Sequence, residues 1–179
     1  MNNIAEFVYK VAVNKNRRRF VWSIAGAVFW YGAVAVAIAI APWLDRVFGL
    51  NLPILLAVRL SVGILLLLIG VPMVAWTITG FLRVKGTPIP FNPPPALVIG
   101  GLYSIVRNPM HIGWTIVLIG VAVLEQSFVL LVIFVPLFVL IHVLYIKVVE
   151  EKELEKKFGQ AYLDYKKRVP MCLPRLPYT

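Results

Sequence analysis

The sequence predicts an all-α integral membrane protein with about four transmembrane helices. Three observations carry this expectation. Apolar residues make up 60% of the 179 and charged residues only 15%, too little polar surface for a soluble domain of this length. Four apolar runs approach the length of a bilayer crossing. Most of the cations behind the net charge of +10 sit at the ends of those runs, not within them.

The elements follow in order. Ile4, Phe7, Val8 and Val11 repeat at i, i+3, i+4, i+7, so residues 4–13 form a helix lying along the interface, within an N-terminal segment 1–19. The first span runs from Phe20 to Trp43 and is stopped by Pro42 and the polar pair Asp45-Arg46. Its length and its long charged prelude exceed those of a cleaved signal peptide. The second span runs from Pro53 to Leu82, long enough to cross with tilt, and Arg59 near its outer end reaches the headgroups on its long stem. A cytosolic proline-rich loop follows over residues 83–109. A third, shorter span covers Met110 to Leu124 and a fourth Phe128 to Val149. Only Glu125-Gln126-Ser127 separates these two, so they form a tight helical hairpin. A cytosolic helix and tail complete residues 150–179, and the chain 1–179 reads as a single membrane domain.

Lysine and arginine collect on the cytosolic side of membrane proteins. Here they precede the first span at Lys10, Lys15, Arg17, Arg18 and Arg19, separate the second from the third at Arg83, Lys85 and Arg107, and follow the fourth from Lys147 to Arg175. The opposite loops hold only Arg46. Both termini and the proline-rich loop are therefore placed in the cytosol. Anionic headgroups account for the same cations, so no nucleic-acid partner is expected. No metal partner is expected either, and the single Cys172 offers no intrachain disulfide.

Two cytosolic stretches carry the candidate chemistry. In the loop, Pro88, Pro90, Pro93, Pro94 and Pro95 fix a stiff path with exposed carbonyls and few N–H groups. Such a path suits either a rigid connector or recognition of a flat polar ring such as adenine. In VVEEKELEKKFGQAYLDYKKRVPMCLP, the Glu153/Lys157 and Lys152/Glu155 spacings read as a solvated helical face, which accounts for Glu153 and Glu155. It does not account for Glu150, still at the apolar boundary, where a carboxylate suits an ammonium or other cation arriving from the cytosol. His142, about two turns before Glu150, relays a proton, lines an acceptor tunnel or bonds between helices.

The ordered set GLYSIVRNPMHIG from Gly101 to Gly113, Glu150-Glu151, Phe158-Gly159 and AYLDYKKRVP from Ala161 to Pro170 resembles the isoprenylcysteine carboxyl methyltransferase and phospholipid methyltransferase family. The resemblance covers roughly residues 80–174, about half the chain. It implies a compact helical membrane fold that binds S-adenosylmethionine on its cytosolic face and receives a lipophilic methyl acceptor from the surrounding lipids. Carried over by position, it implies cofactor contacts from Ala96, Leu97, Val98, Tyr103, Asn108, Pro109, Met110 and His111. Glu150 is the implied acidic partner, with Glu151 its neighbour.

This sequence departs from the prenylcysteine pattern at three places. Asn108 stands for a histidine, His111 for a tyrosine, and Ile146 for an arginine proposed to hold the prenylcysteine carboxylate. Lys147, beside Ile146, and His142 are then the candidates for acceptor binding. A prenylcysteine-type carboxylate leads the acceptors; a phospholipid amine and a small thiol are the alternatives. A nicotinamide-dependent enzyme like the sterol reductases is the competing class, and a non-catalytic membrane scaffold the third. Methyl transfer from a sulfonium is an in-line displacement that needs alignment and exclusion of water, so no catalytic base is named. A carboxylate acceptor needs none, whereas a protonated amine must first lose a proton.

Overall fold

The computed structural model describes residues 17–83 and 96–174. The interfacial helix expected at residues 4–13 and the loop prolines lie outside the described residues. All regular structure among the described residues is helical. The helices are α1 (Arg17–Phe48), α2 (Leu56–Arg83), α3 (Pro109–Glu125), α4 (Leu130–Phe158) and α5 (Gln160–Arg168), with a 3-10 turn at Gly101–Ser104.

Among the described residues, Val28–Phe48, α2 and α4 are long and apolar enough to cross a membrane. The 17 residues of α3 rise only about 25 Å, short of the roughly 30 Å hydrocarbon thickness, in line with the short third span expected. Large apolar side chains such as Phe29, Leu68 and Leu140 face outward, as lipid-embedded helices require and soluble ones avoid. The chain is an all-helical, multi-pass membrane protein.

One boundary differs from expectation. Pro42 does not stop α1; the helix runs on to Phe48. Its end is made by Gly49 at φ +64, where the Leu50 N–H donates to the Asp45 carbonyl at 2.8 Å, a left-handed glycine closure that satisfies an otherwise orphaned carbonyl. The helix of the fourth span leaves the apolar run without a break and continues to Phe158, where Gly159 at φ +54 ends it. Two π turns, Leu130–Phe134 and Ile146–Glu150, are built into α4. Each widens the helix by an extra residue, a feature often found at functional sites.

The chain divides into two compact units. One comprises Ala25–Val74 and His111–Val143. Within it, α2 and α3 approach through two glycine pairs. A Cβ on Gly70 would lie 2.9 Å from the Gly113 carbonyl oxygen, and one on Gly120 would lie 3.2 Å from that of Gly63. Glycine lets the backbones meet where hydrocarbon solvent gives no hydrophobic drive for association. The α3–α4 turn is held by buried Asp45, which accepts from Ser127 Oγ at 2.5 Å and from the Val129 N–H at 2.9 Å. Leu118, Val135 and Phe138 form an apolar cluster with Trp30 packed against it. The other unit comprises, of the described residues, 17–24, 75–83, 96–110 and 144–174.

Candidate functional site

The second unit gathers most of the residues implied in cofactor binding. Its loop is set by Gly101 at φ +60, where a Cβ would fall 2.2 Å from Trp76 Cζ2, so that only glycine fits beside the indole. Tyr103 is buried between Trp76 and Phe81, with ring centroids 6.2 and 5.8 Å away. Its carbonyl accepts from Tyr165 Oη at 2.7 Å, which ties the loop to α5. Leu97 packs on the cluster of Tyr162, Tyr165 and Val169. Ala96 is exposed and Val98 half-buried.

The loop is clasped by the C-terminal segment. The Arg107 N–H donates to the Pro170 carbonyl at 2.8 Å and the Asn108 N–H to that of Met171 at 3.1 Å. Asn108 Nδ2 donates to the same Met171 oxygen at 3.2 Å, so this buried amide holds the backbone. Pro109 is fully buried as the first residue of α3, a position where its missing N–H costs nothing, and Met110 follows half-buried.

The acidic pair divides into unlike halves. Arg107 Nη1 donates to Glu151 Oε1 at 2.5 Å and to Tyr162 Oη at 3.2 Å, while its Nε donates to the Val169 carbonyl at 3.0 Å. Lys166 Nζ pairs with Glu151 Oε2 at 2.6 Å and with Glu155 Oε1 at 2.8 Å. Glu151 is thus neutralised from both sides. Glu150, by contrast, has no ion-pair partner among the described residues. Burial opposes the Arg107 charge, but the Glu151 carboxylate outweighs it and raises the Arg107 pKa. Hydrogen bonds to Glu151 and Glu155 likewise raise that of Lys166. Burial, with the Glu151 charge adding to it, pushes Tyr162 up to about 12.

Glu153 corrects a sequence expectation. Read as part of a solvated face, it is instead buried at 5% exposure, and its Oε1 has no hydrogen-bond partner. Lys147, one of the two acceptor candidates, is exposed on the π turn.

The other unit holds both histidines. The rings of His111 and His142 meet edge to face, with centroids 4.5 Å apart. His142 also lies 4.5 Å from Trp30 and 3.9 Å from Phe138. Its Nδ1 is 2.7 Å from the Phe138 carbonyl, an acceptor, so Nδ1 carries the proton and donates. Among the described residues no group of three or more His, Cys, Asp or Glu is placed to hold a metal ion.

A model of the phospholipid methyltransferase family matches residues 58–161, more than half of the chain. The chain belongs to the phospholipid methyltransferase family. The matched stretch takes in the Arg107 to His111 motif, the Glu150-Glu151 pair and Gly159, the hinge between α4 and α5. Among curated relatives of this phospholipid methyltransferase family member, Methanethiol S-methyltransferase 2 of Bradyrhizobium diazoefficiens is 32% identical over 75 residues. That alignment takes in 42% of this chain and 27% of the relative, so the chain spans about a quarter of that protein's length. In the sequence Arg107 counts only toward the orientation of the loop, and nothing joins Tyr162 and Lys166 to Glu151; their place in the shared motifs is the available signal.

Proposed function

We propose that this protein is an S-adenosylmethionine-dependent methyltransferase, with its site on the cytosolic face and an apolar acceptor drawn from the bilayer. Family membership supports the reaction class. The observation that carries the cofactor assignment is the asymmetry of the acidic pair: Glu151 is consumed by Arg107 and Lys166, whereas Glu150 remains available for a cation. Bound S-adenosylmethionine supplies a methyl group already activated on a sulfonium. In this reading Ala96, Leu97 and Val98 offer backbone groups, Tyr103 an aromatic wall and Glu150 the partner of the ligand's ammonium. Asn108 keeps the loop path, Pro109 begins α3, and Met110 and His111 follow in its first turn.

A small apolar thiol is the acceptor we favour. Ile146, where a prenylcysteine carboxylate would look for a cation, is apolar and 1% exposed. The name of the methanethiol relative supports the same choice. The thiol sulfur would bond to the methyl as the methyl–sulfonium bond breaks, leaving S-adenosylhomocysteine, and the thiol proton would pass to water. His142 donates through Nδ1 to the Phe138 carbonyl and packs on His111 within its own unit, and exposed Lys147 is assigned to the polar end of the acceptor or to the headgroups.

Full-length protein in detergent, given methyl-labelled S-adenosylmethionine and in turn a small thiol, a prenylcysteine analogue and phosphatidylethanolamine vesicles, tests the reading. Label is expected in the methyl thioether, with binding lost in Glu150→Gln. Absence of S-adenosylhomocysteine binding by the wild type refutes it.

A further inference from the structure

The helix that carries the acidic pair has two acidic edges, and they are treated differently. Glu151 and Glu155 lie four residues apart on one edge and share the Lys166 ammonium, with Arg107 completing the neutralisation. Glu150 and Glu153 lie three apart on another edge, which has no ion pair among the described residues. Glu153 is the less solvent-exposed of the two and its Oε1 has no hydrogen-bond partner, an expensive state for a carboxylate oxygen. Lys157, one turn on, reaches Glu153 with its field but makes no hydrogen bond to that oxygen. The π turn at Ile146–Glu150 ends where this edge begins.

We propose that Glu153 is a second carboxylate of the cation site, acting with Glu150 to hold a protonated primary amine. The inference rests on the methyltransferase reading for the carrier of that amine, which is either the amino-acid head of the cofactor or an amine-bearing acceptor headgroup. Two carboxylates on one helical edge match an ammonium, whose three N–H donors need more than one acceptor. The site pair is therefore Glu150 with Glu153, three residues apart, and not the sequence neighbours Glu150 and Glu151.

Equilibrium binding of S-adenosylhomocysteine and of methylthioadenosine, which lacks the amino-acid head, to full-length wild type and Glu153→Gln distinguishes the sources. If the cofactor carries the amine, the variant loses at least about tenfold for S-adenosylhomocysteine, the size of one charge-assisted hydrogen bond, and nothing for methylthioadenosine. If the acceptor carries it, both affinities stay and KM rises for vesicles containing phosphatidylethanolamine but not for a thiol. A Glu153→Gln protein that fails to fold is replaced by Glu153→Asp, for which the same discrimination is expected. A wild type that binds S-adenosylhomocysteine and a variant unchanged on every ligand overturn the Glu153 assignment alone. A wild type that binds neither nucleoside refutes the methyltransferase reading instead.

Discussion

Glu150 and Glu151 are adjacent in sequence, and single amide substitutions at each are expected to fail in opposite ways. Glu151→Gln removes the acceptor of a 2.5 Å pair with Arg107 in which both side chains are 10% exposed. Breaking a buried pair of this kind costs about 3–5 kcal/mol. The Lys166 arm adds under about 1 kcal/mol, because that lysine is 34% exposed and keeps Glu155. Arg107 retains the Val169 carbonyl and Tyr162 Oη, which places the expected loss near the lower end, about 3 kcal/mol. Glu150→Gln removes no ion pair among the described residues and is expected to cost no stability, while abolishing ligand binding. Denaturant unfolding in one detergent gives the first quantity, and calorimetric titration with S-adenosylhomocysteine the second. Equal destabilisation by the two variants, or binding retained by Glu150→Gln and lost by a folded Glu151→Gln, refutes the division of the pair.

Four further outcomes are expected. Gly70→Ala brings a Cβ within 2.8 Å of Val117 Cγ2 and 2.9 Å of a backbone oxygen, so unfolding should register a loss of about 1–3 kcal/mol. Gly32→Ala, with nothing within 4 Å, should be neutral or stabilising by up to about 1 kcal/mol through helix propensity. Tyr162 and Tyr165 are raised from 10.0 to about 12 by burial, so the unfolded chain releases their protons first as pH rises. Stability should therefore fall between about pH 10 and 12, read by thermal melts across that range, and the raised Lys166 acts in the same direction. Asp45→Ala leaves the Val129 N–H and Ser127 hydroxyl buried without their acceptor and should cost about 2–4 kcal/mol by denaturant unfolding, with ligand affinity unchanged.

Hydropathy, and the three-residue spacer between the last two spans, made the helices legible, because lipid imposes a length and leaves few alternatives. What hydropathy misses is local chemistry inside an apolar run. Pro42 read as a stop because proline removes a donor, but the helix absorbs the loss and Gly49 supplies the true end. Gly70 and Gly113 sit among leucines and valines, and only three dimensions pair them. At the candidate site, family motifs point to the loop and the acidic pair, but do not say which glutamate is already satisfied. That depends on Arg107 and Lys166, 44 and 15 residues from Glu151 in the chain. Glu153 was misread for a related reason: charge periodicity describes a helix in water, and this edge is covered.

The clasp between the loop and the C-terminal segment also bears on biosynthesis. The backbone donors of Arg107 and Asn108 are satisfied by carbonyls 63 residues later. At roughly 5–20 residues per second, about 3–13 s of translation separate the loop from its partners. During that interval the spans can enter the bilayer while the loop stays open, so the clasp forms only after α4 has been made.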